Sequence, residues 1–215
     1  MDGNGRWAEA RGLPRLEGHR RGVEMVRQVL KDADELGLEF VTLYSFSTEN
    51  WARPQTEVTG LMQLFRLFFN RYLKEMHKNN VRITFIGERD RLDEDIVELI
   101  DKAVNTTKDN TGLNAVFAFN YGGRAEIVNA AQSILKEVRA GTLSLDEIDE
   151  QTIESHLYTV DIPDPEIILR TSGEERLSNY LLWQSVNSEF QKIETLWPDF
   201  TKADLENAIK QYCMG

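Results

Sequence analysis

Residues 39–46 of this 215-residue chain read Glu-Phe-Val-Thr-Leu-Tyr-Ser-Phe, and this stretch decides the fold class. Its β-branched and aromatic side chains fall on both faces of an extended chain, which is typical of a parallel strand covered by helices on either side. The apolar residues from Val23 to Leu36 follow helical spacing, and Gly37 is a helix stop. A helix followed by a buried strand is the unit from which α/β sheets are built.

The same alternation runs along the rest of the chain. We predict further helices over residues 57–78, 96–103, 123–140 and 202–212, and further strands over residues 81–86, 113–120 and 166–170. Residues 141–165 carry an acidic run and two prolines, and we predict a surface helix and loop there. The sequence therefore predicts one α/β domain over residues 1–215, with a mostly parallel β-sheet flanked by helices.

Charge and composition narrow the function. The chain carries 36 acidic and 25 basic side chains, for a net charge of −11, which argues against a nucleic-acid partner. Sixteen of the basic residues are arginines, whose planar donor groups suit phosphate and carboxylate, and six of these fall in residues 1–27. Cys213 is the single cysteine, no run of 18 apolar residues occurs, and no apolar signal region begins the sequence, so we predict a cytoplasmic protein.

The first candidate site is the hexapeptide Asp2-Gly-Asn-Gly-Arg-Trp7. Two glycines around an asparagine let several backbone N–H groups face one anion. Asp2 could hold Mg²⁺, and Arg6 could pair with a phosphate oxygen. The structural alternative is a flexible, turn-prone segment. His19 follows within Arg15-Leu-Glu-Gly-His-Arg-Arg-Gly22, where its setting among arginines favours anion binding over a purely structural role; Arg20 and Arg21 are expected to be solvated.

Two further polar stretches follow predicted strands. Ligands of parallel sheets gather beyond the carboxyl ends of the strands, which directs attention to these loops. Residues 45–54 read Ser-Phe-Ser-Thr-Glu-Asn-Trp-Ala-Arg-Pro, and a simple capped loop would explain the hydroxyls but not the Trp and Arg. Residues 170–179 place two arginines six apart among serines and a glycine, which suits a second phosphate group or a solvated charged loop. Glu189 is a candidate metal ligand that carries no signal by itself.

Together these stretches resemble the cis-prenyltransferase family. The matching segments stand in family order: DGNGRWA (2–8), GHRRG (18–22), LYSFSTENWARP (43–54), NNVRITFIG (79–87), NTGLNAVFAFNYGGRAEI (110–127), DPEIILRTSGEERLSNYLLWQ (164–184) and LWPDF (196–200). Each is weak alone, but seven in order cover nearly the whole chain. No DDxxD pair occurs, so the trans-type prenyltransferases are not the match.

The resemblance implies an activity and its partners. Family members condense isopentenyl diphosphate in cis onto an allylic diphosphate such as farnesyl diphosphate. The implied product is a long polyprenyl diphosphate, namely undecaprenyl diphosphate, the lipid carrier of bacterial cell-wall synthesis. The implied cofactor is Mg²⁺, and the implied partners are the small-molecule diphosphates and a second copy of the chain. Contact with the inner face of the membrane would serve product release.

The resemblance also assigns residues. Asp2 is the catalytic, magnesium-linked aspartate, and Glu189 is the second metal ligand. Asn50 is the proton acceptor, although an amide is a poor base and is expected to orient a water or the diphosphate. The substrate-binding residues are Gly3, Asn4, Gly5, Arg6, Trp7, Arg15 and His19 near the start, Ser47, Thr48, Glu49, Trp51 and Arg53 after the first strand, and Arg170, Arg176, Leu177 and Ser178 near the end.

The growing hydrocarbon requires an apolar tunnel. The helix predicted over residues 57–78 could line it with Leu61, Met62, Leu64, Phe65, Phe68 and Phe69, and the same stripe also suits an ordinary core. The sequence departs from the family pattern in three places: family members usually carry a strand directly before DGNGRW, a Tyr where Asn187 stands, and a basic, glycine-ended tail.

Two other hypotheses stay open, the first because of these departures and the second independently of the resemblance. The first is a non-catalytic relative that serves as a binding or partner subunit. The second is a phosphosugar or nucleotide enzyme on an α/β sheet. Against the latter, the sequence has no phosphate-binding G-x-x-x-x-G-K-[ST] motif.

Overall fold

A computed structural model describes residues 1–214. Seven α-helices lie within that range: α1 (Asn4–Glu9), α2 (Arg15–Glu35), α3 (Gln55–Lys78), α4 (Glu94–Thr107), α5 (Gly123–Ala140), α6 (Glu150–Glu154) and α7 (Lys202–Met214). Five strands accompany them: β1 (Phe40–Ser47), β2 (Arg82–Ile86), β3 (Asn114–Tyr121), β4 (Ile167–Arg170) and β5 (Glu189–Lys192). Single turns of 3-10 helix cover Thr48–Ala52, Leu145–Glu147 and Trp197–Asp199.

The strands form two parallel sheets. In the larger sheet the order is β1-β3-β2, with Asn114 of β3 in register with Phe40 on one side and Arg82 on the other. In the smaller sheet β4 pairs with β5, and Arg170 lies opposite Lys192. Within residues 1–214, β1 therefore pairs only with β3, and β4 pairs only with β5. The predicted α/β class with parallel strands is confirmed, although the strands divide between two sheets.

Two elements, helix α1 and strand β5, are missing from the prediction because their sequences carry little periodic signal. Helix α1 has only six residues, too few to show a helical repeat. Strand β5 reads Glu-Phe-Gln-Lys, and its buried glutamine, Gln191, donates to the carbonyl of Ala208. Residues 141–165 contain a 3-10 turn and the short helix α6, in agreement with the predicted surface helix and loop.

The main core packs the aromatic face of α3 onto β3. The ring centroids of Phe65 and Phe119 are 4.3 Å apart, and those of Phe69 and Phe117 are 5.1 Å apart. Phe46 of β1 joins this cluster, 5.5 Å from Phe119. Aromatic pairs at such distances add to the free energy of burial. Among residues 1–214, no helix is both long and apolar enough to cross a bilayer.

Helix α2 supports the N-terminal segment through a close backbone approach. A Cβ atom at Gly18 would lie 1.9 Å from the carbonyl oxygen of Asn4, so α1 can pack on α2 only where a glycine stands. Ala8 of α1 is completely buried in the same contact. The motif around His19 therefore also has a structural role, because Gly18 allows the hexapeptide to pack closely on α2.

Replacing Gly18 by alanine should lower the free energy of unfolding by about 1–3 kcal/mol, because the added methyl group overpacks the α1–α2 contact. A thermal or urea melt measures this change. Arg21→Ala, on the exposed side of the same helix, is the control and should leave the melt nearly unchanged. Equal melts for the two variants would contradict this packing.

Candidate functional site

The candidate site is a cavity of about 1390 Å³ between β1 and β4. The carboxyl ends of both strands reach its mouth, as expected for ligand sites of parallel sheets. The cavity wall includes eleven of the predicted site residues: Asp2, Asn4, His19, Ser47, Glu49, Asn50, Arg53, Arg170, Arg176, Leu177 and Ser178. Residues from both ends of the chain are therefore brought together around one opening.

Asp2 is fastened to the end of β4. One carboxylate oxygen, Oδ2, accepts a hydrogen bond from Arg170 Nε at 2.8 Å. The Thr171 hydroxyl accepts from the backbone N–H of Asp2 and donates to its carbonyl oxygen, each at 2.9 Å. The N–H of Trp197 donates to the same carbonyl at 3.0 Å. The Asp2 side chain remains 43% exposed, so its carboxylate is still accessible from the cavity.

Arg170 links this junction to the second predicted phosphate loop. Its Nη1 donates to the Ser178 hydroxyl at 2.9 Å, while its Nε holds Asp2. Ser172, Ser178 and Asn179 all have positive φ, at 75°, 52° and 63°. Left-handed backbone in non-glycine residues is costly and concentrates at functional sites, which supports the interpretation of residues 170–179 as a binding loop.

Glu174 is a site residue that sequence reasoning missed. Its carboxylate accepts from Arg6 Nη2 at 2.8 Å and also pairs with Arg176, while Arg6 donates to Ser172. One carboxylate thus joins an arginine of the hexapeptide to an arginine of the 170–179 loop. No sequence signal separated Glu174 from the other acidic residues around it.

A second cluster surrounds Glu57, at the start of α3. Its Oε1 accepts from Arg53 Nη1 at 2.8 Å and lies 3.3 Å from His19 Nε2, and its Oε2 lies 3.9 Å from Arg15 Nε. Burial, followed by the charge of Arg53, holds the pKa of His19 below its ordinary value, so the ring is neutral at pH 7. Arg20, expected to be solvated, pairs with Glu17 on the exposed side.

The loop after β1 is held by its own side chains. Asn50 Oδ1 accepts from the N–H of Ser47 at 3.1 Å, which caps the 3-10 turn. Glu49 Oε1 accepts from Asn179 Nδ2 at 2.6 Å, so this loop also contacts the 170–179 loop. Since the Asn50 amide oxygen is already engaged, its assignment as proton acceptor stays a prediction, and the expected orienting role suits it better.

Trp51 is positioned by a residue that sequence reasoning missed. Its indole Nε1 donates to Asn120 Oδ1 at 2.7 Å, and Asn120 in turn donates to the carbonyls of Glu88 and Asp90. Asn120 has a φ of 50° and is 1% exposed. The sequence feature that could have identified Asn120 as a site residue is its position at the end of a buried strand.

Several predicted residues lie outside the cavity wall. Trp7 donates to Asp199 Oδ1 at 2.7 Å, and Arg15 pairs with Glu9 at 2.8 Å as well as lying near Glu57. Gly3, Gly5 and Arg6 belong to the supporting segment that includes α1, and Thr48 and Trp51 to the turn after β1.

The predicted metal ligands are not adjacent. Glu189 pairs with Ile167 in the β4–β5 register, three residues before the Arg170 pair, or about 10 Å along the strand. No group of three His, Cys, Asp or Glu side chains suited to a metal ion occurs within residues 1–214. Mg²⁺ is commonly held by one or two carboxylates together with substrate phosphates and water, so the accessible Asp2 fits an ion shared with a diphosphate. The role of Glu189 stays a prediction.

The inner part of the cavity is apolar. Leu61, Leu64, Phe65 and Phe68 of α3 line it, together with Phe119 of β3. Phe69 lines it too, whereas Met62 is buried in the core and does not, so the predicted α3 stripe apart from Met62 contributes to the cavity wall as well as to the core. A charged mouth that continues into an apolar interior suits a molecule with a polyanionic head and a hydrocarbon body.

Comparison of the sequence with known proteins finds a matching family model and several relatives. The family model described as putative undecaprenyl diphosphate synthase matches residues 1–214. The chain is 51% identical over 212 residues to isoprenyl transferase 2 of Bradyrhizobium diazoefficiens, an alignment covering 99% of this chain and 84% of that protein. The isoprenyl transferase of Brucella suis matches with the same identity and the same coverage.

Solved structures match as well. Lavandulyl diphosphate synthase from Lavandula x intermedia, solved with dimethylallyl diphosphate, superposes with a TM-score of 0.95 at 36% identity, covering 99% of this chain and 92% of the other. A probable undecaprenyl diphosphate synthase from Campylobacter jejuni superposes with a TM-score of 0.79 at 32% identity, covering 90% and 88%. The sequence motifs, the fold and the full-length relatives agree, and the chain belongs to the cis-prenyltransferase family.

Proposed function

We propose that this prenyltransferase condenses isopentenyl diphosphate in cis onto a farnesyl diphosphate-like allylic diphosphate. The observation that carries the proposal is the double role of Arg170, which holds Asp2 with one nitrogen and Ser178 with another at the mouth of the cavity. Two anion-binding segments, residues 2–7 and 170–179, therefore meet at one place. Two diphosphates bound there would lie side by side, as a condensation requires.

The arginines supply the charge that two diphosphates need. Arg6 and Arg176 lie on either side of Glu174, and Arg170 lies beside Asp2. Guanidinium groups match phosphate oxygens with paired hydrogen bonds, and fixed donors stabilise charge as it develops on a leaving group. In the proposed reaction the allylic C–O bond breaks, a C–C bond forms between the two substrates, and a proton leaves the new unit. Mg²⁺ held by Asp2 and the diphosphate would offset the charge of the leaving group.

The hydrocarbon would extend away from these charges. The wall formed by Leu61, Phe65 and Phe119 places apolar surface directly beyond the charged mouth. We propose that this part of the cavity is the tunnel for the growing chain and that the product is a long polyprenyl diphosphate, namely undecaprenyl diphosphate for the cell-wall lipid carrier. The family resemblance supports a homodimer and peripheral membrane contact for product release.

The decisive experiment incubates the protein with farnesyl diphosphate, labelled isopentenyl diphosphate and Mg²⁺, and measures product length by chromatography. We expect a ladder that ends at a long product, and no product when the metal is chelated. A single short product would contradict the long-chain part of the proposal. Binding of both substrates without elongation would support a non-catalytic binding subunit instead.

Asp2→Ala should reduce turnover by at least about 100-fold, because it removes the proposed magnesium-linked carboxylate. Circular dichroism and a thermal melt should show that the variant still folds. Asp109→Ala removes an exposed carboxylate away from the site and is the matched control. Unchanged turnover in Asp2→Ala would contradict the assignment of Asp2 as a magnesium ligand.

Arg170→Lys should raise the KM for isopentenyl diphosphate by about tenfold, because one ammonium group cannot hold Asp2 and Ser178 from two separate nitrogens. Initial rates at varied substrate concentration measure the change. Arg139→Lys, on the exposed side of α5, keeps the same chemistry outside the site and should behave as wild type. Equal KM values would show that Arg170 is not a substrate ligand.

A further inference from the structure

Glu57 is a carboxylate to which the proposed function assigns no role, yet three proposed substrate residues converge on it. It lies in the first turn of α3, and its Oε1 accepts a hydrogen bond at 2.8 Å from Nη1 of Arg53 in the preceding loop. His19 and Arg15, both from α2, approach at 3.3 and 3.9 Å. The side chains of Glu57 and His19 are 16% and 11% exposed, so their contact is largely shielded from water, whereas Arg15 is 57% exposed. One carboxylate thus connects three separate segments of the chain.

The charges in this cluster require such a group. Arg53 lies in the cavity wall and Arg15 lies beside it, and a carboxylate between two guanidinium groups lowers their mutual repulsion. Burial opposes ionisation of Glu57, but the hydrogen bond and the charge of Arg53, then His19 and Arg15, hold its pKa below the ordinary value. Glu57 is therefore ionised at neutral pH, and the cluster of two arginines, one glutamate and a neutral histidine keeps a net charge of +1.

Arg15 extends the connection to the hexapeptide. Its guanidinium carbon lies 2.9 Å from where a Cβ of Gly5 would stand, so the group covers the backbone of that residue. Arg15 also pairs with Glu9, whose side chain is 56% exposed. Glu57, in contrast, joins Arg15 to the loop that carries Arg53. The phosphate-binding hexapeptide and the loop after β1 are coupled through this one carboxylate.

We propose that Glu57 is a positioning residue that holds these three side chains as one diphosphate-binding unit. The inference rests on the function proposed above and gives that site a residue whose role is to place the ligands, not to touch the reacting atoms. Without the Glu57 carboxylate, the positive charges of Arg15 and Arg53 would remain, but the two side chains would no longer be held together. Diphosphate binding would then weaken even though the net charge of the site becomes more positive.

The test compares Glu57→Gln with the matched control Glu9→Gln, which removes the exposed partner of Arg15. Calorimetry with inorganic diphosphate and Mg²⁺ measures binding without any turnover. We expect Glu57→Gln to weaken binding about tenfold and Glu9→Gln to change it less than twofold. Unchanged or tighter binding by Glu57→Gln overturns the proposal, because Glu57 would then only compete with the anion.

A second readout separates positioning from general stability. Glu57 opposes the lowering of the His19 pKa, so its removal should move that pKa further down in an NMR titration, while Glu9→Gln should leave it unchanged. The charged groups facing the ring are Arg15, Arg53 and Glu57. An unchanged His19 pKa in Glu57→Gln would show that the contact is absent in solution and would overturn the proposal.

Two further measurements keep the outcome decisive. If Glu57→Gln does not fold, Glu57→Asp keeps the charge but shortens the reach, and wild-type diphosphate binding by that variant would overturn the proposal. If the wild-type protein binds inorganic diphosphate and the Glu57 effects appear, but no elongation occurs, the proposed function fails while the role of Glu57 stands.

Discussion

The ion pair between Arg170 and Asp2 is the contact on which the rest of the site depends. It joins residues 168 positions apart, and the Thr171 hydroxyl and the Trp197 amide fasten the Asp2 backbone at the same place. Because Asp2 begins the hexapeptide, this junction sets where α1 starts, and the close contact at Gly18 then sets α1 against α2. Both proposed anion-binding segments are thereby held together without a ligand, and such preorganisation is the condition for electrostatic stabilisation of a reacting group.

The same principle organises the other arginines of the mouth. Glu174 holds Arg6 and Arg176, and Glu57 holds Arg53 with Arg15 close by. Each carboxylate lowers the repulsion between guanidinium groups and limits the conformations that they adopt. Five of the sixteen arginines, Arg6, Arg15, Arg53, Arg170 and Arg176, lie in or beside the candidate site of a chain whose net charge is −11, and each of them is paired with a carboxylate.

The division of the strands into two sheets shapes the cavity behind that opening. The free edges of β1 and β4 bound the same space, and the aromatic face of α3 closes its depth. The ring of Phe65 packs on Phe119, and the ring of Phe69 packs on Phe117, so the apolar part of the wall belongs to the aromatic core.

The sequence by itself determined the α/β class, most helix and strand positions and the polar stretches that line the mouth, because side-chain periodicity and turn residues act over a few neighbours. Only the tertiary structure decided which of the 36 acidic residues join the arginines: Glu57 and Glu174 look like any other glutamate in the sequence. It also decided that Asn120 accepts a hydrogen bond from Trp51, and that Glu189 lies on β5 three residues before Lys192, the residue paired with Arg170. The contacts of Glu57 with His19, of Glu174 with Arg6 and of Asn120 with Trp51 connect residues 38–168 positions apart, and no local pattern encodes contacts at that separation.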